Sequence, residues 1–141
     1  MKEITNTKIE ISYNKVQRID GLDDLARILF PNNKRHQKVF LAIFIELKYA
    51  DTRLMTSLFP LCDKYGFTPR TLDTVRSKMR RMGIIDHVCR FNRAMGYREG
   101  WVFSNRFNQS IILLSAHMAK FQSNRNSVQE MKDRDLFRYL D

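Results

Sequence analysis

The chain has 141 residues, 43% of them hydrophobic and 28% charged, with only five glycines and three prolines. That balance fits one globular domain, excludes a mostly disordered chain, and favours helices over a loop-rich β fold. Lys and Arg outnumber Asp and Glu by 25 to 15, a net charge of +10, and an excess of that size points to a polyanionic partner, nucleic acid first.

Pro and Gly punctuate the chain in order. Residues 8–13 alternate polar and apolar, which predicts a short strand. Asp20 is a candidate N-cap for a helix over 21–30 whose inner face carries Leu22, Leu25, Ile28 and Leu29, with Pro31 ending it. Residues 34–49 form the next helix; its stretch 39–45 is apolar on every side, so this helix is expected at the centre of the domain. That stretch is also the longest apolar run, far short of the roughly twenty residues of a membrane helix. Residues 51–66 allow two readings. One is a helix capped by Asp51 with Pro60 in its interior, at a cost of about 3 kcal/mol. The other, preferred here, is a short extended piece at 53–56 followed by a helix from a Ser57 cap to Gly66, with Pro60 in the first turn. Thr68 then caps a helix with Pro69 at its first position, and Gly83 stops it. Strands follow at 85–92 and 97–104, with Cys89, Phe91, Trp101 and Phe103 forming one apolar face. Ser104 caps a helix over 105–122. The S-x-x-E spacing of Ser127 and Glu130 opens a last helix over 128–140.

Helix, short strand, helix, turn, helix, strand, hairpin, strand is the element order of a winged helix. The run Gly66-Phe67-Thr68-Pro69-Arg70-Thr71-Leu72 through Lys78-Met79-Arg80-Arg81-Met82-Gly83-Ile84-Ile85 resembles the turn and recognition helix of prokaryotic winged helix-turn-helix transcription regulators. The resemblance covers about residues 34–105. It implies a mostly α fold with a small β-hairpin wing, and a single domain with an N-terminal extension (1–33), a winged-helix core (34–104) and C-terminal helices (105–141). It also implies double-stranded DNA as partner, with helix 69–82 in the major groove and residues 92–100 on the backbone or minor groove.

The charge distribution agrees with that placement, since residues 68–106 hold nine basic and three acidic side chains, net +6. At 100° per residue, Leu72, Val75, Met79 and Met82 share one face of helix 69–82. Arg70, Thr74, Ser77 and Arg81 share the opposite face, with Thr71, Asp73 and Lys78 beside it. Arginine can bind guanine bidentately, and small hydroxyls let a helix approach a groove floor. Arg70, Thr71, Thr74, Ser77, Lys78 and Arg81 are therefore the candidate DNA-binding residues, with Arg93 and Arg98 at the hairpin tip as phosphate or minor-groove contacts. Lys34, Arg35 and Lys38 could add phosphate contacts.

Beyond the hairpin, Phe107, Ile111, Leu114, Met118 and Phe121 are spaced 4, 3, 4, 3, the a/d seam of two heptads. With Ile112, Leu113, Val128, Met131 and Leu140 they predict a homodimer interface. No glycine-rich phosphate loop, GxSxG or HExxH motif occurs, so a non-enzyme without cofactor is expected. Histidines 36, 87 and 117 are scattered over three elements. His87 and Cys89 share a strand face and could join Cys62 or His117 around a metal, yet a cysteine packed as a small hydrophobe is the simpler reading, and no metal is expected. Two cysteines without a CxxC pair, and no apolar leader at the N-terminus, suit a reducing cytoplasm. A winged helix can also serve as a protein-interaction module in a replication or transcription complex, but that use needs no arginines at both ends of the helix and at the wing tip.

Overall fold

The computed structural model describes residues 8–92 and 96–140, the side chains of 90–92 and 96–98 excepted. It is mostly helical: α1 (Tyr13–Gln17), α2 (Leu22–Leu29), α3 (Lys34–Tyr49), β1 (Leu54–Met55), α4 (Pro60–Tyr65), α5 (Pro69–Met82), β2 (Ile85–Asn92), β3 (Gly96–Phe103), α6 (Arg106–Ser123) and α7 (Ser127–Asp135), closed by a 3-10 turn at Leu136–Tyr139. The three strands form an antiparallel sheet in the order β1-β3-β2. Two compact units divide after Arg106, close to the expected start of the C-terminal helices. No helix among the described residues is long and apolar enough to cross a membrane.

In the first unit α3 is central, as its run 39–45 predicts. Val39, Phe40, Ala42, Ile43 and Leu47 are buried, although Ile45 reaches the surface. Around them pack Ile28, Leu29 and Phe30 from α2 and its end, Leu58 and Leu61 at α4, Leu72, Val75 and Met79 from α5, and Ile85 and Trp101 from the sheet. A run of aromatic contacts, Phe30–Phe40–Phe44–Phe103, with ring centroids 5.5, 5.6 and 4.9 Å apart, ties α2 through α3 to β3. Aromatic pairs of this kind add to simple area burial.

The ends of α3, α4 and α5 follow their sequence signals. Asn33 accepts from the His36 N–H at the start of α3. Pro60 stands at the first position of α4, so the strand-plus-helix reading of 51–66 is the one observed, but the cap position falls on Phe59 rather than Ser57, whose hydroxyl accepts only from the Phe59 N–H ahead of the helix. The N–H groups of Gly66 and Phe67 both donate to the Cys62 carbonyl, with Gly66 left-handed at φ 75°, the geometry glycine favours at a helix C-terminus. Thr68 Oγ1 then caps α5 by accepting from Thr71 N–H, and Gly83 ends it at φ 83°. At Gly100 a Cβ would lie 2.5 Å from the Met55 carbonyl oxygen, so only glycine lets β1 approach β3 there.

Three further expectations need correction. Residues 8–12 form no strand; Glu10 N–H makes one backbone bond, to Ile28 O, and the chain then turns into α1. A ladder needs a partner, and alternation alone does not supply one. The N-cap of α2 is Gly21 rather than Asp20, with the Asp24 carboxylate accepting from the N–H groups of both. The last helix is capped by Asn126, which accepts from Gln129 N–H, rather than by a Ser127 box.

Candidate nucleic-acid interface

Helix α5 carries the site, and the elements beneath it hold it in place. Leu72, Val75 and Met79 sink into the core. The turn 66–68 joins α5 to α4, and α4 is fastened to α3 by Glu46, whose carboxylate accepts from Lys64 Nζ at 2.6 Å and Tyr65 OH at 2.5 Å. Those two donors hold the Glu46 carboxyl below its usual range.

On the outer face, Arg70, Ser77 and Arg81 are exposed, as the helical wheel predicts. The two threonines are half-buried and engaged with their own helix: Thr71 Oγ1 lies 2.9 Å from Thr68 Oγ1, and Thr74 donates to the Arg70 carbonyl. Ser77, Arg80, Arg81, Asp86 and Arg106 line a shallow, open depression at the C-terminal end of α5. Arg106 grips both carboxylate oxygens of Asp86, at 2.6 and 3.1 Å, and donates to the Arg80 carbonyl at 3.2 Å. It thereby caps a last-turn carbonyl of α5 and brings a third guanidinium beside Arg80 and Arg81. Wheel reasoning on one helix missed Arg80 and Arg106. The acid–base pair of Asp86, on the first strand of the hairpin, and Arg106, just after its second strand, was the available signal. Lys34, Arg35 and Lys38 are exposed along the first turns of α3.

Lys78 does not belong to the exposed face. It is 4% exposed. Its Nζ donates to Leu29 O at 2.5 Å and Lys8 O at 2.9 Å, and lies 4.3 Å from the Phe30 ring centroid. A long side chain at the edge of the apolar face can thread inward and place its amine at the C-terminal carbonyls of α2, where the helix dipole favours a cation. Burial pulls its pKa down. His36, edge-on to Phe30, is likewise lowered by burial and then by the Lys78 charge.

Because the unfolded chain holds the Lys78 proton more tightly than the folded one, stability should rise as pH climbs towards the ordinary lysine value of 10.5. Lys78→Met should remove that rise. It should also cost about 1–3 kcal/mol near neutral pH by leaving two carbonyls unpaired, whereas Arg81→Ala should change stability by less than about 0.5 kcal/mol. Denaturant unfolding of both variants across pH checks this.

Arg93 lies outside the described residues. The backbone of Arg98 stands in β3 opposite Arg90, and its side chain lies outside the described ones. In the second unit, Ile111, Leu114, Met118 and Phe121 are 40–68% exposed, Phe107 is half-buried, and neither α6 nor α7 buries a single residue.

His87, Cys89 and Glu99 come together on one face of the hairpin. Cys62, one of the partners considered from sequence, is instead buried in α4, where burial raises its pKa.

Family models, curated proteins and solved structures were all compared with the chain, and none matches.

Proposed function

We propose that the protein is a dimeric, sequence-specific binder of double-stranded DNA and acts as a transcriptional regulator. In this reading α4, the turn 66–68 and α5 form a helix-turn-helix, and β2–β3 form the wing of a winged helix. The observation that carries it is the outer surface of α5, exposed at Arg70, Ser77 and Arg81 and extended by Arg80 and Arg106. A helix of this kind can enter a major groove with Arg70 near the base edges and the arginines of its other end on phosphates.

The acidic residues of the same segment favour binding over catalysis. Asp73 pairs with Arg76, and Asp86 pairs with Arg106, so neither joins a carboxylate cluster. Glu99 stands apart from both, beside His87.

The second copy supplies what α6 lacks. Taking Ile111 as 0°, residues 111, 114, 118 and 121 lie within one quarter of the helix, and Ile112 and Leu113 project at 100° and 200°. A helix apolar on several sides is a buried helix. The second unit has five basic and four acidic residues, so two copies meet without strong repulsion.

Selection of bound sequences from random duplex DNA tests the reading. Enrichment of an inverted repeat with half-sites about one helical turn apart is expected from a two-fold dimer. Recovery of unselected sequence would favour the protein-interaction use of the same fold.

A further inference from the structure

The second observation concerns the other side of the hairpin and is independent of the DNA reading. Residues directly opposite on two antiparallel strands share a face, as do residues i and i+2 on one strand. In the observed register Cys89 pairs with Glu99 and His87 pairs with Trp101, so all four lie on one face. Further in, Ile85 pairs with Phe103, and Ile85 is fully buried. Further out, Cys89 and Glu99 are exposed and His87 is half-buried. The cluster thus sits where the sheet leaves the core and becomes accessible to solvent.

One ligand atom from each of His87, Cys89 and Glu99 lies within 4.8 Å of the others. Around a tetrahedral zinc ion with bonds of about 2.0–2.3 Å, ligand atoms stand roughly 3.3–3.8 Å apart. Side-chain torsions alone can close a gap of about 1 Å, and both Cys89 and Glu99 are exposed. The imidazole is the best held of the three. Its ring packs edge-on to Trp101, centroids 4.9 Å apart, and Trp101 is covered in turn by the Arg76 guanidinium at 5.2 Å, with Arg76 anchored to Asp73. That stack limits how far the imidazole can turn.

We propose that His87, Cys89 and Glu99 form a binding site for a borderline divalent transition-metal ion of the zinc class, open at a fourth position. One nitrogen, one sulfur and one carboxylate oxygen suit zinc and its first-row neighbours and not magnesium or calcium, which take oxygen ligands. On binding, the thiol loses its proton to solvent and the metal–sulfur bond forms. Thiolate and carboxylate together then balance the charge of the ion. The ion bridges β2 to β3 halfway along the hairpin, one indole ring away from Arg76 of α5. The scatter of His and Cys along the chain argued against any metal; strand pairing supplies the missing third ligand, Glu99.

The test uses the reduced, metal-free full-length protein and cobalt(II) alone. A thiolate-to-cobalt charge-transfer absorption should appear, saturate at one equivalent per chain, and be displaced by one equivalent of zinc. Cys62→Ser should leave it intact. Cys89→Ser should abolish it. Glu99→Gln, a change of nearly equal size at an exposed position, should weaken binding at least about tenfold with unchanged circular dichroism, as should His87→Ala. The proposal is overturned if no absorption appears with stoichiometric cobalt, if it survives Cys89→Ser, or if Glu99→Gln binds as tightly as the parent. Saturation at half an equivalent per chain would also overturn it, since the ion would then sit between two copies.

Discussion

If two copies pair through α6 as proposed, replacing Leu114 and Met118 together by aspartate should leave a monomer of 16.8 kDa. Both side chains are well exposed in the single chain, at 60% and 57%. They sit at the centre of the 4-3-4-3 seam, and contiguous apolar surface of this extent marks an interaction site. The energetic balance is close enough for two substitutions to decide it. Ile111, Leu114, Met118 and Phe121 from two copies make eight side chains, each contributing about 1–2 kcal/mol for the area still open to water. Association costs about 4–15 kcal/mol in lost freedom. Two heptads alone only just clear that cost, so Ile112, Leu113 and the α7 residues Val128 and Met131, 62% and 74% exposed, are expected to add to the interface. Four buried, unpaired carboxylates would each cost several kcal/mol, enough to weaken the dimer by at least about a thousandfold. Light scattering at micromolar concentration reads the result. A dimer that survives both changes rejects α6 as the interface.

Arg106 is the first residue of α6 and also caps α5 and grips Asp86. Its guanidinium joins the last turn of α5 to β2, with one hydrogen bond to the Arg80 carbonyl and two to the Asp86 carboxylate.

Gly and Pro signals were reliable because the residue's own backbone preference sets the geometry. Cap residues were misplaced by one position at Asp20 and Ser127, because neighbouring residues can serve the same N–H groups. Thr68 with Pro69, Gly83, and Pro60 in a first turn mark the ends of α4 and α5 as observed. Signals failed where geometry depends on a distant partner. The alternation at 8–13 has no neighbouring strand, so the chain takes a helical turn at Tyr13 instead. Lys78 lies beside the apolar face by angle, and an angle says nothing of side-chain length; the amine is buried because Leu29 O and Lys8 O, 49 and 70 residues away, accept from it. Hairpin register was equally hidden. A slip of one residue would place Glu99 opposite Val88 or Arg90 and on the other face. Only the observed pairing of Cys89 with Glu99 assembles a three-ligand cluster.

Base reading and positioning should separate cleanly on α5. Arg70 stands in its first turn, the end from which recognition helices commonly reach base edges. Arg81 stands in its last turn, beside Arg80 and the Arg106–Asp86 pair, where a phosphate is the natural partner. Arg70→Ala should cost about 1–3 kcal/mol on the selected site, the value of a bidentate arginine–guanine contact, and much less on random duplex. Arg81→Ala should weaken both about equally and reduce the salt slope by about one unit. For the parent, about four phosphates per subunit give eight in the dimer, and at about −0.9 per phosphate the slope of log affinity against log salt is near −7. Lys78→Met should leave that slope unchanged, because a buried amine bonded to two carbonyls releases no counterion. Titrations of each variant against the selected and a scrambled duplex, at three salt concentrations, give all of these quantities together. Equal loss on both duplexes for Arg70→Ala would remove it from base reading. A parent slope near zero would mean that the net +6 of residues 68–106 meets no phosphate, and the exposed face of α5 would then have to be a surface for protein.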